Sequence, residues 1–354
     1  MDIASNQPRA GRFAWVIENR QRSGSANMTR FTNIGLSEGS TGLASAACAP
    51  LRCSVFSDDL NEQAGGITDW QQEYDQISAG AFHGSIEECH IGALQVFREH
   101  TSKTLRQTCE VWQDAIWVGI PVVREGFRIN GEAPESCDLL WRRGQDAFEL
   151  MTPDNSNILS IAVHEQSLLQ QAEAQGIAIQ LPQIGGNPRI QVDPRQIEEM
   201  GVLINRVISA SAGSIDRSIH EDLVMQTLLN VLHDAKINDR VTPSHAHRKA
   251  VVKRVREHVA KTGSLPVTLT ELCEIACVSR RTLQYSFESI LGINPKLYLR
   301  TNRLNQVRRR LSSSETESVS DAAAHYGFYH LSQFATDYKR LFGELPSQTL
   351  ARRG

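Results

Sequence analysis

Apolar positions change their rhythm along this chain. From Ile67 to about His164 they come in short bursts: GSIEECHI, ALQVFRE, LRQTCEVWQ, AIWVGIPV, GFRING, AFELMTP and ILSIAVH. These are rich in β-branched and aromatic residues. Turn signals at Gly80, Asn130-Gly131, Arg143-Gly144 and Pro153-Asp154-Asn155 separate them. Many short strands between regular turns predict an all-β sandwich or barrel of cupin-like type over 66–175. From Glu165 the period becomes helical, with one helix to about Gln175 and a Pro/Gly-containing connection over 176–193. Segments 194–212 and 216–235 each carry one apolar stripe and one charged stripe, which predicts two amphipathic helices within a linker region, 176–240. Packing on the β-rich part and forming a homodimer surface both satisfy that pattern.

After a polar stretch, 236–247, helical periods continue to the end. Residues 248–261 form a basic helix with Val251, Val252, Val255 and Val259 as its stripe. TLTELCEIACV is a short amphipathic helix, and SRRTLQYSFESILGINP follows it. Ser279 is a good N-cap, because its hydroxyl accepts from an orphan backbone N–H. Leu283, Phe287, Ile290 and Leu291 make one apolar face. Gly292 suits a left-handed C-cap, and Asn294-Pro295 restarts a helix. Arg280, Arg281, Gln284 and Tyr285 occupy the opposite face. Two short helices joined at Cys277-Val278-Ser279 read as a helix-turn-helix.

The device is used twice. At an offset of 51 residues Leu283 maps to Phe334, Phe287 to Tyr338, Leu291 to Phe342, Gly292 to Gly343 and Pro295 to Pro346. Ala276 maps to Gly327. The second unit is VSDAAAHYGFYHLSQFATDYKRLF, and residues 295–311 form the connecting helix, about 25 Å long. Such a spacer suits two recognition helices set about 34 Å apart in successive major grooves.

Charge sharpens this picture. The net charge of −3 hides an asymmetry. Residues 245–354 carry 18 Lys and Arg against 9 Asp and Glu, a net of +9, and residues 1–244 carry −12. A basic block on an acidic chain points to a localised polyanion-binding surface. Arg pairs with guanine and Gln with adenine through two bonds each. Arg300, Arg303, Lys339 and Arg340, with Arg308, Arg309 and Arg310, are phosphate candidates. Arg280, Arg281, Gln284 and Tyr285 are base candidates in the first unit. The repeat partners of Arg280 and Gln284 are Leu331 and Ala335, so the first unit is expected to carry most base readout.

Residues 1–65 repeat Ser, Gly, Ala and Asn and are expected to be mostly disordered, with short ordered pieces near 13–17 or 55–56. Seven cysteines, odd in number and scattered, and no apolar run of membrane length predict a cytoplasmic chain with reduced thiols. Cys273 and Cys277 lie four apart without a second ligand pair. His83, His90 and His164 lack HxH or HExxH spacing, so no metal site is assigned. The absent metal spacing also argues against a cupin-type oxygenase or hydrolase, and no catalytic residue is named. Trp70, Trp112, Trp117 and Trp141 lie in the β-rich part, where an aromatic-lined effector pocket competes with plain core packing.

ELCEIACVSRRTLQYSFESILGINPKLYLRTNRLNQVRRRL, followed by VSDAAAHYGFYHLSQFATDYKRLFGELPS, resembles the DNA-binding domain of the AraC/XylS family of bacterial transcription regulators. The framework is Leu272, Ala276, Ser279, Leu283, Phe287, Gly292, Pro295, Arg303-Leu304, Gly327-Phe328, Ser332, Phe334, Phe342-Gly343 and Pro346-Ser347. Thr349 departs from it, where the family commonly has an aromatic. The resemblance implies a DNA-binding domain over 248–354 and bases faced by Arg281, Gln284 and Tyr285, then by Ser332, Gln333 and Thr336. It implies promoter DNA and RNA polymerase as partners. ITDWQQEYDQISAGAFHGSIEE, VFREHTSKTLRQTCEVW and IWVGIPV resemble the effector domain of family members governing ethanolamine-utilisation operons. That implies ethanolamine and adenosylcobalamin as effectors and activation as the outcome. Effector-binding residues stay unassigned; Trp112, Trp117 and His83 are candidates by position alone. A family member with a different effector, or with none, fits the same residues.

Overall fold

The apolar bursts resolve into two antiparallel sheets. The computed structural model describes residues 51–181, 189–210, 216–238, 242–263, 267–313 and 318–352. The order is β1 (Leu51–Ser57), α1 (Leu60–Ala64), β2 (Gln71–Gln76), β3 (Gly84–Ile91), β4 (Leu94–Thr101), β5 (Leu105–Glu110), β6 (Ala115–Pro121), β7 (Arg128–Ile129), β8 (Asp138–Arg143), β9 (Phe148–Thr152) and β10 (Ser156–His164). Then come α2 (Glu165–Gln175), β11 (Arg189–Gln191), α3 (Pro194–Ser209), α4 (Arg217–Asp234) and β12 (Lys236–Asn238). One sheet runs β1-β3-β4-β10-β6-β8-β11-β12 and the other β2-β5-β9-β7. Among the described residues no strand pairs across the two, so of the sandwich and the barrel expected from the sequence the open sandwich is formed.

The central strands are continuously apolar because both of their faces are covered. Phe97, Trp117, Leu140 and Ile158 point to the small sheet and meet Phe148, Leu150 and Ile129. Their neighbours Val96, Val118, Trp141 and Leu159 point the other way, onto α2, α3 and α4. Trp117 stacks on Phe148 with centroids 4.9 Å apart, and Trp70 meets Phe97 edge-on at 5.4 Å. Trp117 is fully buried in this core, and the half-buried Trp70 packs against it.

Three sequence boundaries are corrected. The extension expected to be disordered through residue 65 holds β1 and α1; the 55–56 piece lies in β1, and the 13–17 piece lies outside the described residues. Residues 176–240 are not a linker. Ile197, Met200, Ile204, Val207, Val224, Leu228 and Leu232 complete the core of the large sheet. Ile190 of β11 registers on Leu139, and Ile237 of β12 on Ile190. The polar stretch 236–247 likewise holds β12 and the start of the next helix.

The C-terminal helices are α5 (Pro243–Thr262), α6 (Leu269–Ala276), α7 (Arg280–Leu291), α8 (Pro295–Ser312), α9 (Val319–His325), α10 (Leu331–Phe342) and α11 (Pro346–Ala351). The first unit has its own core, from Val251 and Val255 through Leu272, Leu283 and Phe287 to Tyr298. The second does not. Leu304, Val307, Ala322, Phe334, Tyr338 and Phe342 share one buried cluster with Leu60, Ala64, Tyr74, Phe82 and Leu105 of the sandwich.

Candidate nucleic-acid interface

Local chemistry builds both recognition helices. Thr268 and Glu271 form a reciprocal capping box at the start of α6. Cys277 turns the chain in the left-handed region, at φ 53°. The Ser279 hydroxyl then accepts from the Thr282 backbone N–H at 3.1 Å and starts α7. Gly292 ends it at φ 71°, and Asn294 with Pro295 opens α8. Gly343 at φ 76° and Pro346 repeat the device after α10. The second helix differs at its start, where His330 stands without a side-chain cap bond.

Arg280, Arg281, Gln284 and Tyr285 are exposed together on α7. Among the described residues no carboxylate pairs with either arginine. Gln284 Nε2 donates to Glu288 Oε1 at 3.0 Å, and the Arg248 guanidinium lies 5.4 Å over the Tyr285 ring. On α10, Ser332, Gln333 and Thr336 are also exposed. Gln333 Nε2 donates to Asp337 Oδ1 at 2.8 Å, and Thr336 Oγ1 donates to the Ser332 carbonyl at 2.9 Å. The first front therefore offers charged, uncommitted donors, and the second offers fewer.

The phosphate candidates divide. Lys339 and Arg340 are exposed. Arg300 is half-buried and ion-paired with Asp337, tying α8 to α10. Arg303 lies 4.7 Å over the Phe328 ring, and burial lowers its pKa. Arg308 and Arg309 turn inward. Arg308 pairs with Asp59 at 2.7 Å and with Glu344, while Arg309 Nη1 donates to Asp75 Oδ1 at 2.7 Å. A signal for Arg308 was present in the sequence, because it follows buried Leu304 by four residues and lies on the same helix face.

The sandwich grips the second unit through its backbone. Asn305 on α8 accepts from the Gln76 N–H and donates to the Gln76 carbonyl, both at 2.9 Å, continuing the edge strand β2. The last carbonyls of α10 lack helical donors of their own. Gly80 N–H donates to those of Arg340 and Leu341 at 3.0 Å, and Gln76 Nε2 donates to Leu341 at 2.6 Å. Towards the first unit the contacts are sparser: Arg256 to Glu149 at 2.8 Å, and Arg128 Nε to the Ser289 carbonyl at 3.3 Å.

Asp75 is the electrostatic centre of this contact. Burial alone would raise its pKa, but Arg106 and Arg309 outweigh burial and hold it below the usual carboxylate range. Beside it a cleft of about 560 Å³ opens between the sandwich and α5, α7 and α8, lined by Arg106, Glu149, Lys249, Arg256, Tyr298 and Arg309 among others. Among the described residues no cluster of three or more His, Cys, Asp or Glu could hold a metal ion, and no helix is long and apolar enough to cross a membrane.

Residues 272–352 match a family described as "Helix-turn-helix domain". XylDLEGF operon transcriptional activator 1 of Pseudomonas putida is 34% identical over 133 residues, 37% of this chain and 39% of that protein. XylDLEGF operon transcriptional activator 3 of the same organism is 40% identical over 103 residues, covering 28% and 31%. The chain therefore spans under two fifths of the length of these curated relatives. A probable AraC family transcriptional regulator from Rhodopseudomonas palustris CGA009, solved as a structure, is 33% identical over 29% of this chain and 96% of that one, with TM-score 0.27.

Proposed function

We propose that this chain, whose C-terminal domain is an AraC/XylS-family helix-turn-helix domain, is a sequence-specific, effector-responsive transcription activator. The observation that carries the reading is the pair of capped recognition helices with exposed polar fronts, joined by one helix that is itself gripped by the sandwich. α7 reads base edges through Arg281, Gln284 and Tyr285, with Arg280 beside them, and α10 adds Ser332, Gln333 and Thr336. Lys339 and Arg340 hold phosphates, while Arg300 and Arg303 set the position of α10 from behind. The activator sense is supported by the names of the Pseudomonas putida relatives, and activation requires contact with RNA polymerase.

The sandwich acts by shifting a population. An effector changes DNA binding only if it binds the docked and released arrangements unequally. The Asp75 contact and the cleft beside it provide places where that inequality can arise, since groups of both domains meet there. For the effector, the N-terminal wording supports ethanolamine together with adenosylcobalamin. Selection of binding sites from random duplexes by the full chain tests the DNA reading; recovery of no enriched sequence refutes it. Thermal melting with ethanolamine, with and without cobalamins, tests the effector, and an unmoved midpoint with both discards ethanolamine.

A further inference from the structure

The front of α10 is short of free donors but rich in apolar surface. Leu331 is 47% exposed and Tyr329, just before the helix, is 72% exposed. At the offset of 51, Leu331 and Ala335 hold the positions of Arg280 and Gln284, which face outward on α7. Gln333 Nε2 donates to Asp337, the Thr336 hydroxyl donates to the Ser332 carbonyl, and Thr336 is exposed. Lys339 and Arg340 are exposed one turn further on, as a phosphate-facing flank would be. The large apolar residues of the same helix, Phe334, Tyr338, Leu341 and Phe342, are all buried, so Leu331 stands apart from the core.

Resting on the DNA-binding reading above, we propose that the second recognition helix reads thymine C5-methyl groups in the major groove, through Leu331, Ala335 and the Thr336 methyl. Among the four bases only thymine offers a methyl on that edge, and apolar side chains recognise it by contact. The second unit is then a sequence reader of a different kind, complementary to the hydrogen-bonding first unit. Its information lies in T-rich positions of the second half-site, and it needs no free donor.

The test uses the full chain and the duplex it selects from a random pool. Each thymine of the second half-site is replaced by uracil, which removes the methyl and keeps the pairing. At one or two positions Kd is expected to rise about four-fold, the factor carried by one buried methyl-sized group. Leu331→Ala, at an exposed position, should weaken binding to thymine DNA similarly and show little further loss on uracil DNA. Leu331→Met should retain sensitivity to uracil. Uracil duplexes bound as tightly as thymine duplexes overturn the proposal. An undiminished uracil penalty in Leu331→Ala overturns the assignment of the methyl contact to Leu331. If no sequence is selected at all, the DNA reading falls first, and this inference falls with it.

Discussion

Asp75 and Arg309 offer a direct measure of how firmly the sandwich holds the connecting helix. The Asp75 side chain is 2% exposed, Arg106 11% and Arg309 28%. Arg106 and Asp75 pair inside the sandwich, across β5 and β2, whereas Arg309 reaches in from α8. Two charges about 4 Å apart in an effective dielectric of about 20 attract by about 4 kcal/mol before desolvation. Taking Arg309 from water and its partial exposure offset much of this, leaving a coupling of about 1–2 kcal/mol. Arg309→Gln should therefore cost about that much, and nearly nothing when Asp75→Asn is already present. Asp75→Asn alone should cost about 3 kcal/mol, the lower end for breaking a buried pair, since Glu149 still faces Arg106 at 3.4 Å. Urea unfolding of the four proteins by tryptophan fluorescence supplies the cycle. Because the carboxyl pKa is depressed, the contribution is fully present above the unfolded value of about 3.9 and is lost as pH falls through the lower folded value. The coupling should thus be flat from pH 6 to 8. A coupling below about 0.5 kcal/mol in that range would refute docking through this pair.

Further outcomes follow from the same contacts. Gly343→Ala and Gly292→Ala both force a side chain into left-handed backbone, costing about 1 kcal/mol each. Gly343→Ala should cost visibly more, because its Cβ would lie 2.6 Å from the Ala81 backbone nitrogen, whereas at Gly292 it meets only the movable end of Arg128 at 2.8 Å; equal urea midpoints for the two variants would contradict this. Burial pushes the Glu99 carboxyl up, and hydrogen bonds from Gln63, Tyr74 and Gln107 do not offset it. Its contribution is fully present below the unfolded pKa of about 4.3 and is lost as pH rises through the raised folded value. Glu99→Gln should therefore gain on the wild type as pH rises from about 5 to 8, and parallel stability curves would reject that sign. Lys339→Ala and Arg340→Ala should each reduce the slope of log K against log salt by about 1, with sequence preference unchanged; a shifted consensus sequence would instead make them base readers.

Much of the DNA-binding half was legible because its signals are local. Ser279, Gly292, Asn294, Pro295, Gly343 and Pro346 each act within one turn of backbone, and the structure places every one at its cap or restart. The sandwich was legible as strands but not as a topology. β11 and β12 have three residues each, too few for a periodic pattern, and they exist because β8 offers an edge. Helix α3 carried its stripe plainly, whereas α4 also leaves Ile219 and Leu223 exposed, and in either case a stripe does not say what covers it. Arg308 and Arg309 were misread for a related reason. In a basic block an arginine looks like a phosphate ligand, and only the acidic partners Asp59 and Asp75, over 200 residues earlier, turn it inward.

Those two arginines also bear on how a signal would travel. The first unit has a closed core and touches the sandwich at a few points, among them Arg256 on Glu149, Arg128 on the Ser289 carbonyl and Ile290 against Gly131, so its front is set mainly by its own sequence. The second unit has no such independence. Its buried cluster includes Tyr74, Phe82 and Leu105, and the last carbonyls of α10 accept hydrogen bonds from Gly80 and Gln76. Any ligand that moves β2 or the turn after it must therefore disturb the second recognition helix before the first. Arg300 and Arg303 transmit the same displacement along α8, because one pairs with Asp337 and the other rests on Phe328. An effector acting this way would change contacts in the second half-site most and leave those of Arg281 and Gln284 nearly fixed. Footprints taken with and without effector should then differ on one side only, and a uniform change across both half-sites would mean that the sandwich controls the domain as a rigid whole.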